Sequence, residues 1–327
     1  MSEEMTQLEV ACLEEFWASH AQGAMPLEQM ISKLLLDTLG LGNQQVYRKL
    51  HLERAGYPEF CDWIIATVGE PDANLLDRYH AWLYDMEMGE KARAQLDAIA
   101  AMDPVLDADA LAQWDEHGYV VLGDAIDPDE VAAVRDLIWS EIGASPDDPE
   151  SWYGERPDGI MIARFHHPAL EAARRSPRIH KAFAQLWGTE NLWCTIDRIG
   201  LNPPVRPDAP FTGSDLHWDV SLAQPIPFGT QAVLYLCDTT EDMGAFRCVP
   251  GFHHRIESWL DEMGPEADPR GVDLHDEQRF VAGQAGDLVI WRQDLPHGAS
   301  PNLSDRPRLA QYLNFYSPDM PIRSRWR

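Results

Sequence analysis

From about residue 193 onward the chain breaks into short β-rich runs separated by Gly, Pro and Asp. The runs are 193–201 (WCTIDRIGL), 231–237 (QAVLYLC), 245–250 (AFRCVP), 287–292 (DLVIWR) and 308–316 (RLAQYLNFY). This pattern limits the fold more than any other feature. Short strands bounded by turns must close into a sandwich or barrel to cover their edges. A jelly-roll or cupin-like double-stranded β-helix fits the spacing.

The residues before it read differently. Positions 1–104 carry helical periodicity, as in 26–39, where Leu27, Met30, Ile31, Leu34, Leu35 and Leu39 share one face. A second helical stretch covers 72–102, and Tyr57-Pro58 and Glu70-Pro71 punctuate the segment between. After residue 104 a β run, GYVVL at 118–122, leads to a helix opened by Asp127-Pro128-Asp129-Glu130, with Asp127 as cap and Pro128 at the first helical position. Residues 144–160 read as a loop and 168–187 as a further helix packed outside one sheet. The expected fold class is therefore mainly β with α. A helical N-terminal region, 1–104, precedes a double-stranded β-helix domain, 105–327, with flanking helices.

Composition excludes several functions. The net charge of −28, from 54 acidic and 26 basic residues, repels phosphate backbones and anionic membranes, so neither nucleic acid nor membrane is an expected partner. No run reaches the ~18 apolar residues of a membrane span. The acidic start, MSEEMTQLEV, is unlike a secretory signal. The five cysteines are scattered without a CxxC pair and read as buried free thiols in a reducing compartment. A soluble cytoplasmic protein is expected.

The chemistry rests on distant residues. His217-Trp218-Asp219 is an H-x-D triplet, and in extended backbone positions i and i+2 point the same way. His297 lies 78 residues after Asp219, behind the run DLVIWRQDLP and before Gly298. Two imidazoles and a carboxylate on one face of an octahedron make the facial triad of non-haem Fe(II) oxygenases. Arg308 opens the last β run. Its fork would grip the far carboxylate of a dicarboxylate co-substrate. Arg306 is the rival, made more loop-like by Pro307.

The stretches SDLHWDVS, GAFRCVPGFHH and LPHGASPNLSDRPR, with LAQWDEHGYVVLGDAI at 111–126, resemble the phytanoyl-CoA dioxygenase family over roughly 106–317. The resemblance implies a double-stranded β-helix, Fe(II) on His217, Asp219 and His297, and 2-oxoglutarate and O2 as co-substrates, with the 5-carboxylate on Arg308. It places Tyr235 where the family often has a Trp beside the co-substrate, and brings in Ser300 and, more weakly, Asn302 from the loop after His297. It gives His253 and His254 a structural part in a Pro-Gly-x-His turn. The presence of Asp219 implies oxygen insertion rather than chlorination. Arg164, His166 and Trp218 are taken as candidate substrate contacts.

The expected reaction is hydroxylation of an unactivated C–H bond of a small molecule, with release of succinate and CO2. Desaturation, epoxidation, cyclisation and demethylation remain open on the same site. A catalytically silent cupin-like binding module is the alternative from another class. No basic patch for CoA phosphates is evident, which favours natural-product tailoring. The region 1–104 would serve as a lid, a docking surface or a homodimerisation arm, and the loops 203–216 and 144–160 could close over substrate.

Overall fold

Side-chain alternation along three strands divides the interior into two cores. A computed structural model of the chain describes residues 8–154, 158–265, 267–323 and 325–327. Most of the acidic start and part of the 144–160 loop, at 155–157, lie outside the described residues. The strands are β1 Tyr119–Leu122, β2 Met161–Ile162, β3 Trp193–Cys194, β4 Ile199–Asn202, β5 Thr230–Tyr235, β6 Phe246–Cys248, β7 Arg279–Val281, β8 Leu288–Arg292, β9 His297–Ala299, β10 Arg308–Leu313 and β11 Phe315–Tyr316. Six form an antiparallel sheet in the order β1-β8-β5-β10-β4-β2, facing a three-stranded sheet β7-β6-β9. These two sheets are the major and minor walls of a double-stranded β-helix.

In β5, β8 and β10 one parity (Ala232, Leu234, Leu288, Ile290, Leu309, Leu313) packs outward on a helical layer. That layer is built by α8 (Pro128–Ile142) and α10 (Pro177–Trp187), through Val131, Val134, Ile138, Ile179 and Phe183. The other parity (Val233, Tyr235, Val289, Trp291, Ala310) points between the sheets, against Phe246, Cys248 and Phe252. A sheet covered on both faces reads as a nearly continuous apolar run, which is why these strands were visible. About 40% of the chain is nevertheless helical and about 15% strand, because the strands are short.

The helices before residue 105 are α1 Leu13–Ala21, α2 Gln29–Thr38, α3 Asn43–Tyr47, α4 Tyr57–Val68, α5 Ala73–Leu83 and α6 Glu90–Ala100; α7 (Ala108–His117), α9 (Pro168–Arg174) and α11 (Ile256–Met263) complete the set. The stretch expected as one helix over 72–102 is two, parted at Asp85, which adopts φ +52°, and at Gly89, whose N–H donates to Asp77. The 168–187 helix is likewise broken at Ser176-Pro177, where Ser176 Oγ caps α10 by accepting from the Ile179 amide. Proline cannot continue the helical hydrogen-bond ladder of α9.

The N-terminal helices share a core of Leu13, Phe16, Leu34, Leu35, Phe60, Ile64 and Tyr79 that closes on Trp193 and Tyr316. Trp193 Nε1 donates to Thr38 Oγ1 (3.1 Å), Tyr316 OH donates to Asp37 Oδ2 (2.7 Å), and Arg78 lies over the Trp193 ring. These contacts explain a difference from the sequence reading. The runs 193–201 and 308–316 each split, because β3 and β11 leave the large sheet to pair with each other beneath these helices. No helix among the described residues is long and apolar enough to cross a membrane.

Candidate active site

His217 and His297 are joined through their backbones: each amide donates to the other's carbonyl, at 2.9 and 3.0 Å. His297 therefore does not trail off the edge of β8, as its sequence position suggests. It opens β9, and His217 extends the minor sheet beside it. His217 Nδ1 lies 2.6 Å from the Asp215 carbonyl and His297 Nδ1 lies 3.0 Å from the Leu295 carbonyl. A carbonyl only accepts, so both Nδ1 atoms carry the proton and both Nε2 lone pairs turn inward. Asp219 meets them there, with Oδ1 3.2 Å from His217 Nε2 and Oδ2 3.4 Å from His297 Nε2. The three ligand atoms lie within 4.8 Å of one another, and this is the only such group of three among the described residues.

The electrostatics favour a cation at the centre. Burial works against the Asp219 charge, yet the neighbouring His217 and His297 rings hold its carboxyl far below the usual range. Burial also works against a His217 proton, but Asp219 outweighs it and raises that imidazole's affinity for positive charge. Two imidazoles and one carboxylate facing open space suit ferrous iron.

Further residues hold this group, and sequence reasoning missed them. Gln231 Nε2 donates to Asp219 Oδ2 at 2.7 Å. Arg247, 6% exposed, donates to Asp215 Oδ1 (2.7 Å) and to the Ala299 carbonyl (3.0 Å), tying the backbone that orients His217 to β9. Gly298 is required for that approach: a Cβ there would meet the Asp215 carbonyl oxygen at 2.9 Å. Strand glutamines and buried arginines carry no motif, so nothing in the sequence marks Gln231 or Arg247.

A cavity of about 550 Å³ is lined by the three residues and, from β10 of the large sheet, by Arg308 and Tyr312. Arg308 is 2% exposed and no carboxylate among the described residues pairs with it. Its Nη atoms reach only Tyr312 OH, at 3.4 and 3.5 Å, and its Nε has no partner. An unpaired buried guanidinium is costly unless an anion completes it. Arg306, by contrast, has a side chain 71% exposed, beside Asp305. Tyr312 follows Arg308 by four residues on one strand face, a parity the sequence does contain. Phe246, Val233 and Trp291 supply the apolar wall.

Six candidate contacts need correction. Tyr235 OH is used up inside the barrel, donating to the Val281 carbonyl and accepting from the Phe246 amide. Ser300 Oγ donates to the Ala245 carbonyl and closes a buried turn. Trp218 is buried behind the triplet against Phe252 and Trp259, with Nε1 donating to the Asp294 carbonyl. Arg164 pairs with Glu141, and His166 bonds Gln45 of α3; neither lines the cavity. Asn302 holds its own loop and the Asn202 carbonyl. His253 and His254 both reach the Asp115 carbonyl, a structural use.

The two loops expected over the site are joined to each other. Arg206 makes two hydrogen bonds to Glu150 and lies over the Tyr153 ring, and Tyr153 OH donates to the Pro204 carbonyl. Thr212, Gly213 and Ser214 line the cavity.

Comparison with known proteins adds to this geometry. The family model described as phytanoyl-CoA dioxygenase (PhyH) matches residues 114–310. An ectoine dioxygenase of Bordetella bronchiseptica is 24% identical over 255 residues, covering 67% of this chain and 81% of that protein. Among solved structures, EvdO2 from Micromonospora carbonacea var. aurantiaca is 19% identical with a TM-score of 0.49, over 69% of this chain and 97% of that one. The non-heme alpha ketoglutarate dependent carbocyclase SnoK from nogalamycin biosynthesis is 23% identical with a TM-score of 0.49, over 68% and 90%.

Proposed function

Because the chain belongs to the phytanoyl-CoA dioxygenase family and is a non-haem iron, 2-oxoglutarate-dependent dioxygenase, we propose that it hydroxylates an unactivated C–H bond of a small molecule at the cavity beside His217, Asp219 and His297. The carrying observation is one cavity that combines a convergent two-histidine, one-carboxylate group with a buried guanidinium that has no counter-charge among the described residues. When bound, iron would let O2 react with 2-oxoglutarate, one oxygen atom passing to succinate with loss of CO2 and the other to the substrate C–H bond.

The chain's own residues do the positioning. His217, Asp219 and His297 would hold the metal, with Asp215 and Leu295 carbonyls keeping both imidazoles in the ligating tautomer. Gln231 holds Asp219 Oδ2 and so limits how that carboxylate can turn. Arg308 would take the far carboxylate of 2-oxoglutarate, with Tyr312 beside its guanidinium. Phe246, Val233 and Trp291 exclude water from the reacting space.

For the helical region 1–104 we propose a wall-building role rather than a free dimerisation arm. Arg198 lines the cavity and donates to Gln44 of α3, so these helices steady part of the substrate wall. Five free thiols fit a reducing cytoplasm. Natural-product tailoring is our reading of the substrate class.

The experiment is an anaerobic load with Fe(II) and 2-oxoglutarate, then exposure to O2 with a panel of small molecules, following succinate and product mass. A mass gain of one oxygen supports hydroxylation. Stoichiometric Fe(II) binding with no succinate from any panel member supports a silent module instead.

A further inference from the structure

Two buried polar atoms beside the proposed iron site have no partner among the described residues. One is Gln231 Oε1 and the other is Trp291 Nε1. Their residues are not scattered: Gln231 and Trp291 are directly opposed in the β5–β8 register. Directly opposed residues project on the same face with Cβ atoms about 5 Å apart. That face is the barrel interior, shared with Val233 and Val289, and both residues belong to the cavity lining.

Each is also fixed. The Gln231 amide must turn its NH2 towards Asp219, because a carboxylate only accepts, and this leaves Oε1 as the unused atom. Trp291 is wedged between Phe246 and His297, with ring centroids 4.3 and 5.1 Å away. An unpartnered acceptor and an unpartnered donor thereby belong to directly opposed residues, one braced on the proposed ligand Asp219 and the other on His297.

2-Oxoglutarate as a dianion has no hydrogen to donate, so it cannot satisfy Gln231 Oε1. Resting on the oxygenase reading above, we propose that Gln231 and Trp291 form a substrate-recognition pair for a neutral group that both donates and accepts a hydrogen bond, a hydroxyl or a carboxamide. A carboxylate would face Gln231 Oε1 without a proton. An ammonium would leave the Trp291 N–H unpaired. Unpaired buried groups make such a pair strongly discriminating. The pair also places the recognised group next to the metal, so oxidation falls on a carbon close to it.

The test uses the anaerobic Fe(II) and 2-oxoglutarate holoprotein, with the Zn(II) form as diamagnetic reference. Four probes share one ring: cyclohexanol, cyclohexanecarboxamide, cyclohexanecarboxylate and cyclohexylamine. Iron-dependent relaxation of probe protons in solution NMR reports binding near the metal. Cyclohexanol and the carboxamide should bind at least about threefold more tightly than the two charged probes. Trp291→Phe, which keeps an aromatic ring and removes the N–H, should weaken the neutral probes by about 3- to 10-fold. Gln231→Met should do the same at saturating metal. Equal binding of all four probes, no iron-dependent binding of either neutral one, or wild-type binding by Trp291→Phe overturns the proposal. Calorimetric affinities for Fe(II) and 2-oxoglutarate are measured first on wild type. Failure there overturns the oxygenase reading itself, whereas lost discrimination with both affinities intact overturns only the recognition pair.

Discussion

Replacing Arg308 by methionine separates binding from folding. The guanidinium is 2% exposed, lies in the cavity with the three convergent residues, and touches only Tyr312 OH, at 3.4 and 3.5 Å. Removing one partner of a buried ion pair costs about 3–5 kcal/mol. At about 1.4 kcal/mol per factor of ten, 2-oxoglutarate affinity should fall about 100- to 4,000-fold. In the ligand-free protein the same change removes a buried charge that has no counter-charge among the described residues, so the melting temperature should hold or rise. Wild type at 100 times its dissociation constant should gain about 2.7 kcal/mol from 2-oxoglutarate, and the variant almost nothing. Anaerobic calorimetry with metal-loaded protein reads the first effect and thermal unfolding with and without 2-oxoglutarate reads the second. Arg306→Met is the control and should match wild type, since its side chain is 71% exposed. Wild-type affinity in Arg308→Met would refute the reasoning. So would a loss of several kcal/mol of ligand-free stability, which would make Arg308 a structural residue.

Three further outcomes are expected. Asp219→Ala should abolish Fe(II) binding by calorimetry and all succinate formation, because it leaves two neutral imidazoles alone. Arg247→Met should keep the fold by circular dichroism yet weaken metal affinity about 10- to 100-fold, since it frees the Asp215 backbone that orients His217. His166 should make stability depend on pH. Burial, with nearby Arg174, pushes its imidazole down to about 4. The unfolded chain then binds more protons between about 4 and the ordinary 6.5, so the stability is present above 6.5 and lost as pH falls towards 4. Allowing for partial solvent screening, the loss between pH 7 and pH 5 should be about 1 kcal/mol. His166→Gln should remove that part of the slope in urea titrations at the two pH values, and an unchanged slope would count against the assignment.

The sequence by itself determined what depends on residue type and local period. Strands β5, β8 and β10 were legible as apolar runs because both faces of that sheet are buried, and for the same reason the parity that faces each core was not. The H-x-D triplet, His297 and Arg308 were legible because few other side chains can supply metal ligands and a permanent cation. Tertiary structure decided which polar atoms remain available. Tyr235 and Tyr312 are both inward tyrosines near Arg308, yet Val281 and Phe246, brought in from other strands, consume the hydroxyl of the first. Gln231 and Trp291 are ordinary strand residues until register sets them opposite each other with two atoms unpaired. A hydrogen-bond partner contributed from a distant segment leaves no mark on local sequence, so satisfaction and its absence belong to the folded chain alone.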